Sequence, residues 1–475
     1  MPWDRKLEAA FSPQAIAVVG ASRKHRTVSA GERFVSILKS QGFPGQIYPV
    51  NPYATEIFGV KSYPDLKAVP VTPDLVIISV PAAEVKHILA DCAAKGAKNI
   101  HIYASGFGET GIPDRKELEE ELREIALREG LRIIGPNCMG LHIPSAHIST
   151  WDAEPSQIGN VSFLSQSGGH ATDFTRYARE VYLGLCKVIS FGNALVLDST
   201  DFLEYLTTDR ETQILCMYLE GVRDGKKLLQ QVIEVNGAKP VILWKGGLTE
   251  AGAKAAASHT SSLAGSVAIW EAFFLQTGAI RVNSVREMVD VALAFTHLPV
   301  PEGQRVAIIS SGGGNAVASA DICTREGLQV PTFTEETRRE LREFVPPVGT
   351  SVNNPLDAAV MIRDLDLLER GLNLVMADPL IDLIVVIVHL DIIRGVEEDQ
   401  VKKTGELLCR FAKKNGRKKP MVAVLSLRRG NSKAITEENR LARELLDARI
   451  PFYPNLARAA RALSRFVSYW ARKSC

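Results

Sequence analysis

Ala15-Ile16-Ala17-Val18-Val19-Gly20-Ala21-Ser22-Arg23 reads as five apolar residues running straight into a glycine turn. An apolar run that short, ended by a turn signal, suits a strand buried on both faces, as in a parallel sheet. A helix is expected to follow from about Gly31. The same design recurs downstream. Residues 46–50 form a second strand, closed by Asn51-Pro52. Residues 75–80 form a third, and Pro81 then opens a helix to about Lys95. Residues 99–103 lead into Ala104-Ser105-Gly106-Phe107-Gly108, and a charged amphipathic helix follows over 114–129. A fifth strand, 131–134, stops at Gly135-Pro136-Asn137-Cys138-Met139-Gly140. Strands alternating with helices at this spacing are βαβ units, so the first part of the chain is α/β, a Rossmann-type sheet.

Residues 144–159 show no clear periodicity and read as a linker. A second α/β unit starts with a strand at Asn160-Val161-Ser162-Phe163-Leu164 that runs into Ser165-Gln166-Ser167-Gly168-Gly169, with a helix from Gly169 or His170. Further strands are expected at 184–189, 212–219 and 240–244, the last two ending in Glu220-Gly221 and Lys245-Gly246-Gly247. A Pro/Gly break at 299–304 precedes the strand Val306-Ala307-Ile308-Ile309-Ser310. That strand enters Ser311-Gly312-Gly313-Gly314-Asn315, repeating the turn at Ser165. Strands at 383–388 and 420–425 and a basic closing helix from Pro454 complete the reading. Its Arg458, Arg461 and Arg465 are expected on a solvated face. Three domains result: 1–143, 144–299 and 300–475.

With 475 residues the chain is too long for one core of ordinary size. Charged residues make up 23% and the formal charge is +2, which gives no reason to expect nucleic acid or an anionic membrane as partner. No apolar stretch approaches the roughly 20 residues that span a bilayer. The longest, 380–390, is interrupted by Asp382 and suits a buried strand. No signal peptide is evident. The seven cysteines are scattered with no C-x-x-C pair, which argues against a metal knuckle or a disulfide framework and favours a reducing cytoplasm. No metal site is expected in this chain.

The turns carry the chemistry. A nicotinamide dinucleotide calls for G-x-G-x-x-G after the first strand and an acid near the end of the second. Here the turn is Gly20-Ala21-Ser22-Arg23-Lys24-His25-Arg26 and the second strand ends in Asn51-Pro52. Its basic side chains suit a more phosphorylated nucleotide, such as the 3′-phospho-ADP part of coenzyme A, or an ordinary solvated loop. The Ser167-Gly168 turn is a phosphate cradle in outline, because small residues between strand and helix leave successive N–H groups free. In an open parallel sheet ligands gather at the carboxyl ends of strands. Ser167-Gly168, Glu220, Lys245 and the loop Ala257-Ser258-His259-Thr260-Ser261-Ser262-Leu263-Ala264-Gly265 would therefore share one edge, with Asn193 at another strand end on it. Among such small residues the His259 imidazole is either a nucleophile or a buried or capping side chain.

Ile16-Ala17-Val18-Val19-Gly20-Ala21-Ser22, Val50-Asn51-Pro52, Ser105-Gly106-Phe107, Ile134-Gly135-Pro136-Asn137-Cys138, Ser165-Gln166-Ser167-Gly168, Tyr218-Leu219-Glu220-Gly221, Ser258-His259-Thr260 and Asn354-Pro355-Leu356-Asp357 occur in this order. Together they resemble the nucleoside-diphosphate-forming acyl-CoA synthetases, relatives of succinyl-CoA synthetase, in the arrangement of the α subunit of ADP-forming acetyl-CoA synthetases. The resemblance implies an N-terminal Rossmann-type CoA-binding domain followed by two flavodoxin-like CoA-ligase domains. It implies that acyl-CoA and phosphate give an acyl phosphate and free CoA. The acyl phosphate then phosphorylates His259, which passes the phosphoryl group to ADP.

Glu220 would orient the His259 ring. Ser167, Gly168 and Gly169, with Gly312, Gly313, Gly314 and Lys245, would hold the travelling phosphoryl group. CoA would lie on Gly20, Ser22, Arg23, Asn51, Pro52, Val80, Pro81, Ser105, Gly106 and Asn137. ADP or ATP with Mg2+ would belong to an ATP-grasp β subunit, giving a hetero-oligomer such as α2β2 that acts on a small carboxylic acid or its acyl-CoA. Two departures stand out. Tyr53 occupies the place where relatives often carry a CoA-binding lysine, a role that Lys61 or Arg23 could fill. His170, expected as a helix-surface residue, replaces a small one. The alternative reading is a non-catalytic CoA- or acyl-CoA-binding sensor or scaffold.

Overall fold

Strand β1 (Ala15–Val19) is buried at every position, as an apolar run flanked by two parallel neighbours must be. The computed structural model describes residues 3–21, 29–151, 154–252, 254, 266–310, 313–357, 361, 364–390, 393, 399–415, 418–426 and 432–473. After β1 come β2 (Gln46–Val50), a small antiparallel pair β3 (Glu56–Ile57) and β4 (Val60–Lys61), then β5 (Leu75–Ile78), β6 (Asn99–Ile102) and β7 (Arg132–Ile134). The five longer strands form a parallel sheet in the order β2-β1-β5-β6-β7. Around it run α1 (Trp3–Phe11), α2 (Ala30–Ser40), α3 (Val85–Lys95) and α4 (Pro113–Glu129). Helix α2 begins with a capping box, in which Ser29 and Glu32 exchange hydrogen bonds between side chain and backbone N–H.

The stretch expected to be a linker is partly structured. β8 (Gly140–Ile143) pairs antiparallel with β9 (Ile148–Ser149), and β8 also pairs antiparallel with β11 (Leu185–Ser190) of the second sheet. A boundary at 143 therefore falls at the end of a strand already committed to the next sheet. Short antiparallel edge strands carry too few alternating positions for their period to show. The second sheet also contains β10 (Ile158–Ser165), β12 (Ile214–Leu219), β13 (Val241–Lys245) and β14 (Ile280–Arg281), in the order β14-β13-β12-β10-β11-β8-β9. Its helices are α5 (Gly168–Glu180), α6 (Ser199–Thr208), α7 (Gly225–Ala238) and α8 (Val267–Thr277). One apolar cluster joins the two sheets, from Phe34 and Ile77 through Cys138 and Leu141 to Leu164 and Phe191.

The chain divides into two compact units, Met1–Met288 and Val289–Cys475. The second holds a parallel sheet of order β16-β15-β17-β18-β19, from β15 (Val306–Ser310), β16 (Leu356–Asp357), β17 (Leu383–His389), β18 (Met421–Ser426) and β19 (Phe452–Tyr453). Asp382, just before β17, is buried and accepts from the Arg305 backbone N–H at 2.9 Å and from its guanidinium at 2.9 and 2.6 Å. An acid that breaks an apolar run thus ties the start of β17 to that of β15. The Asn354 side chain donates to the carbonyls of Val306 and Pro331 and accepts from Ile308 N–H, which seats β16 against β15. Arg458 on the closing helix Leu456–Lys473 is not solvated as expected. It forks onto the buried carboxylate of Asp290 at 2.7 and 2.6 Å, and Arg461 takes Glu326 at 2.8 Å. Helical spacing places arginines on one face but does not reveal which acid that face meets. No helix among the described residues is long and apolar enough to cross a membrane.

Candidate functional site

All three sheets share one winding. The chain goes from its first parallel strand to a neighbour on one side, then crosses to the other, leaving switch points at β1/β5, β10/β12 and β15/β17. Ligands collect outside the carboxyl ends of strands at such points. The turns at Gly20, Ser167 and Gly312 follow the first strand of each pair. Gly312 lies outside the described residues, and Gly313 and Gly314 open helix α9 (Gly313–Arg325).

In the first unit two of these edges meet around a cavity of about 470 Å3. The first sheet supplies Ser79, Val80, Ser105 and Asn137, and the second supplies Gln166, Ser167, Gly168, Gly169 and Asn193. The close approach depends on Gly192, which has φ +53°. A Cβ there would stand 2.3 Å from the carbonyl oxygen of Pro136 and 2.4 Å from that of Asn137, so a side chain is excluded. Asn193 N–H donates to the Pro136 carbonyl at 3.0 Å, and its side-chain oxygen accepts from Asn137 Nδ2 at 3.3 Å. Its own Nδ2 reaches the carboxylates of Glu109 and Glu119 at 2.7 and 3.1 Å. Burial pushes both acids up. Hydrogen bonds from Gly106 N–H, Asn193 and Phe107 N–H bring Glu109 below its ordinary value, whereas Glu119 stays raised. Neither acid was singled out from the sequence, because a carboxylate in or beside a charged helix looks solvated.

The cradle is built by β10 and α5. Ser165 and Ser167 exchange hydrogen bonds, and the Ser167 hydroxyl caps α5 by accepting from His170 N–H at 3.3 Å. Gly168 and Gly169 supply the first helical amides at the cavity wall, where an intrahelical acceptor does not exist. The buried Gln166 side chain accepts from the backbone N–H groups of Glu220 and Gly221, the latter at 3.0 Å, so it sets the end of β12. Sequence reading placed Gln166 inside a motif without giving it this task. Glu220 is buried and accepts from the Tyr218 hydroxyl at 3.1 Å.

Lys245 is also buried. Its ammonium donates to the carbonyls of Glu220, at 2.8 Å, and of Gly246. Burial lowers its pKa to about 8 against the opposing pull of Glu220. His170 is half-buried rather than on the helix surface. Its ring packs edge-on against Tyr218 at 4.4 Å and tilts over Trp244 at 4.7 Å, a cross-strand pair at the sheet end. Burial lowers its pKa, partly offset by Asp173 and Glu220.

Other expected site residues serve the scaffold. Gly20 has φ +95°, and a Cβ there would meet the Ser79 carbonyl at 2.3 Å, so it lets β1 pass close to β5. The buried Asn51 donates to the Ala21 carbonyl at 2.6 Å and accepts from the N–H groups of Tyr53 and Ala54. It therefore ties Ala21, just past the end of β1, to the end of β2. Gly106 N–H is taken by Glu109 at 2.6 Å. Pro52 and Pro81 are exposed, as is Tyr53 at 76%. The Lys61 ammonium lies 5.2 Å from the Tyr63 ring centre. Ser22, Arg23 and His259 lie outside the described residues. Among the described residues no group of acids, histidines and cysteines could hold a metal ion.

Residues 14–144 match the CoA binding domain, 158–295 the succinyl-CoA ligase like flavodoxin domain and 306–475 the ligase-CoA domain. The α subunit of acetate–CoA ligase (ADP-forming) II of Pyrococcus furiosus is 39% identical over 88% of this chain and 89% of its own length. Acetate–CoA ligase (ADP-forming) I of Archaeoglobus fulgidus is 36% identical over 82% of this chain, which spans 56% of that longer protein. The structure of dinucleotide-forming acetyl-coenzyme A synthetase 1 of Ca. Korarchaeum cryptofilum, in complex with phosphate and ADP, superposes with a TM-score of 0.84, covering 98% of both chains at 33% identity. On the strength of that sequence identity along most of its length, the chain belongs to the family of ADP-forming acyl-CoA ligases.

Proposed function

We propose that the chain is the CoA-binding, phosphohistidine-carrying subunit of an ADP-forming acyl-CoA ligase, converting acyl-CoA, ADP and phosphate to carboxylic acid, ATP and CoA. The observation that carries this reading is the 470 Å3 cavity, where Val80, Ser105 and Asn137 of the CoA-binding sheet face the Ser167–Gly169 cradle. A thioester on the first edge and a phosphate on the second are thereby brought together. The phosphate oxygen attacks the acyl carbonyl and the CoA thiolate leaves, giving an acyl phosphate. Its phosphoryl group moves to the His259 imidazole as the carboxylate departs, and then from His259 to ADP.

The amides of Gly168 and Gly169 and the α5 dipole stabilise the phosphoryl charge. Glu220, held in place through Gln166, accepts from the second ring nitrogen of His259 and selects the reactive tautomer. Lys245 places its charge beside Glu220, with two of its three ammonium donors on carbonyls and the third left for phosphate. Gly312, Gly313 and Gly314, at the matching turn of the third sheet, are assigned a phosphate-binding role of their own. CoA is held by the first edge together with Ser22 and Arg23, and Gly20 and Asn51 set the end of β1 that leads to them.

ADP and Mg2+ are assigned to an ATP-grasp β subunit. The Pyrococcus relative is itself an α subunit and the Archaeoglobus protein is longer than this chain, and both support a partner of this kind. The buried thiols Cys92, Cys138, Cys186, Cys216 and Cys323 suit a cytoplasmic setting. Incubating the chain and its partner with γ-labelled ATP should give acid-labile, base-stable label that His259→Ala abolishes. Unchanged labelling in that variant would remove His259 from the relay. CoA binding by titration without any nucleotide-dependent turnover would turn the reading to a CoA sensor.

A further inference from the structure

Gln166, Lys245 and Tyr218 each hold Glu220, and they hold different parts of it. Gln166 accepts from its backbone N–H, Lys245 donates to its carbonyl, and the Tyr218 hydroxyl donates to its Oε1 at 3.1 Å. The first two fix the main chain at the end of β12. They do not fix the carboxylate, because the last torsion of a glutamate is broad and soft. A contact at the carboxylate oxygens is needed to orient it, and Tyr218 makes one.

The phenol is itself held. Tyr218 stands two residues before Glu220, so strand alternation puts both side chains on one face. Its ring is edge-on to His170 at 4.4 Å and tilted against Trp244 at 4.8 Å, and the residue is buried. Beyond the hydroxyl lies Gly246, where a Cβ would stand 2.5 Å from the phenol oxygen and 3.1 Å from the ring carbon that bears it. A side chain there would push the hydroxyl off its line, so the glycine makes room for it. Burial, the charge of Glu220 and the hydrogen bond to it all raise the Tyr218 pKa, which keeps the phenol protonated and donating across the working pH range. Phenylalanine would fill the same space between His170 and Trp244, so packing alone does not call for the hydroxyl.

We propose that Tyr218 is a positioning residue for the phosphoryl relay, its hydroxyl taking one oxygen of Glu220 and turning the other towards the His259 ring. The inference rests on the reading that Glu220 orients His259. Gly246 serves the same end by leaving space for the phenol, and His170 and Trp244 serve it by clamping the ring. Without the hydroxyl the carboxylate samples its last torsion, and the imidazole is held in its reactive tautomer and angle for a smaller share of the time.

The test is Tyr218→Phe, which keeps the ring and deletes one oxygen. With the partner subunit and γ-labelled ATP, acid-labile label should form on this variant about 10- to 100-fold more slowly than on the native chain, the range for one hydrogen bond to a charged group. The ATP concentration giving half the maximal rate and the affinity for CoA should stay native, a split that a general loss of packing would not give. Glu220→Asp draws the carboxylate back by one methylene, out of reach of the hydroxyl, so adding Tyr218→Phe to it should slow labelling no further. A native labelling rate in Tyr218→Phe would overturn the proposal. So would slowing by the same factor in the native and Glu220→Asp backgrounds, which would make the hydroxyl act other than through Glu220. Label that persists in His259→Ala would refute the relay reading itself, and this inference with it.

Discussion

Replacing Gln166 with methionine keeps the length of the side chain and removes its acceptor oxygen. Two backbone donors, Glu220 N–H and Gly221 N–H, then lose the same partner inside a buried turn. Leaving a buried donor unsatisfied costs about 1–3 kcal/mol each. The turn borders a cavity and can admit water, so the combined cost is set at about 2–3 kcal/mol. That is a fraction of the roughly 5–15 kcal/mol that holds a domain folded, so the loss is local. At about 1.4 kcal/mol per tenfold, amide exchange at Glu220 and Gly221 should quicken about 30- to 150-fold. Amides in the middle of β12 should change little. Because Glu220 is the group proposed to orient His259, formation of the phosphorylated chain should slow in the same variant. Gln166→Glu retains an acceptor and should restore most of the exchange protection. Native exchange rates at Glu220 and Gly221 in Gln166→Met would refute the claim that Gln166 holds this strand end.

Two further outcomes follow from buried charge. His101 and His142 are fully buried, and burial lowers each pKa from 6.5 to about 4, with Arg179 adding to the effect at His142. Between those values the unfolded chain binds protons that the native chain does not, so stability falls as pH drops from 6.5 towards 4, by about 3 kcal/mol per histidine. Thermal melts of the chain across that range check this, and a melting temperature flat down to pH 4.5 would contradict it. Arg458→Met would strip the guanidinium from the buried carboxylate of Asp290, at a cost of about 3 kcal/mol. Urea unfolding of this variant beside Asp290→Asn/Arg458→Met, which removes both charges, should show the double variant recovering much of the loss.

Much of the architecture was legible because the signals are local. The five-residue run at Ala15–Val19 needs no knowledge of its neighbours to read as a buried strand, and the turns at Gly20, Ser167 and Gly312 follow from strand-to-helix punctuation. Ser167, Gly168, Val80, Ser105 and Asn137 were marked, and they share one cavity. The tasks of several marked residues were not legible. Asn51 and Lys245 belong to residue types that bind phosphates, yet they direct their donors to the carbonyls of Ala21, Glu220 and Gly246. His170 looked like a helix surface because helical spacing is silent about Tyr218 and Trp244, which arrive from two other strands.

The order of buried strands, the small residues at their carboxyl ends and the histidine loop with its family pattern can be read from the chain alone. Each depends on residues within a few positions of one another, where backbone sterics and periodic burial act directly. Which turns share a cavity and which donors stay available to a ligand emerge only in the folded molecule. Those facts depend on two sheets closing through Gly192 onto Pro136 and Asn137. Contacts between residues so distant along the chain are selected by mutual packing and hydrogen-bond satisfaction, which no local pattern encodes.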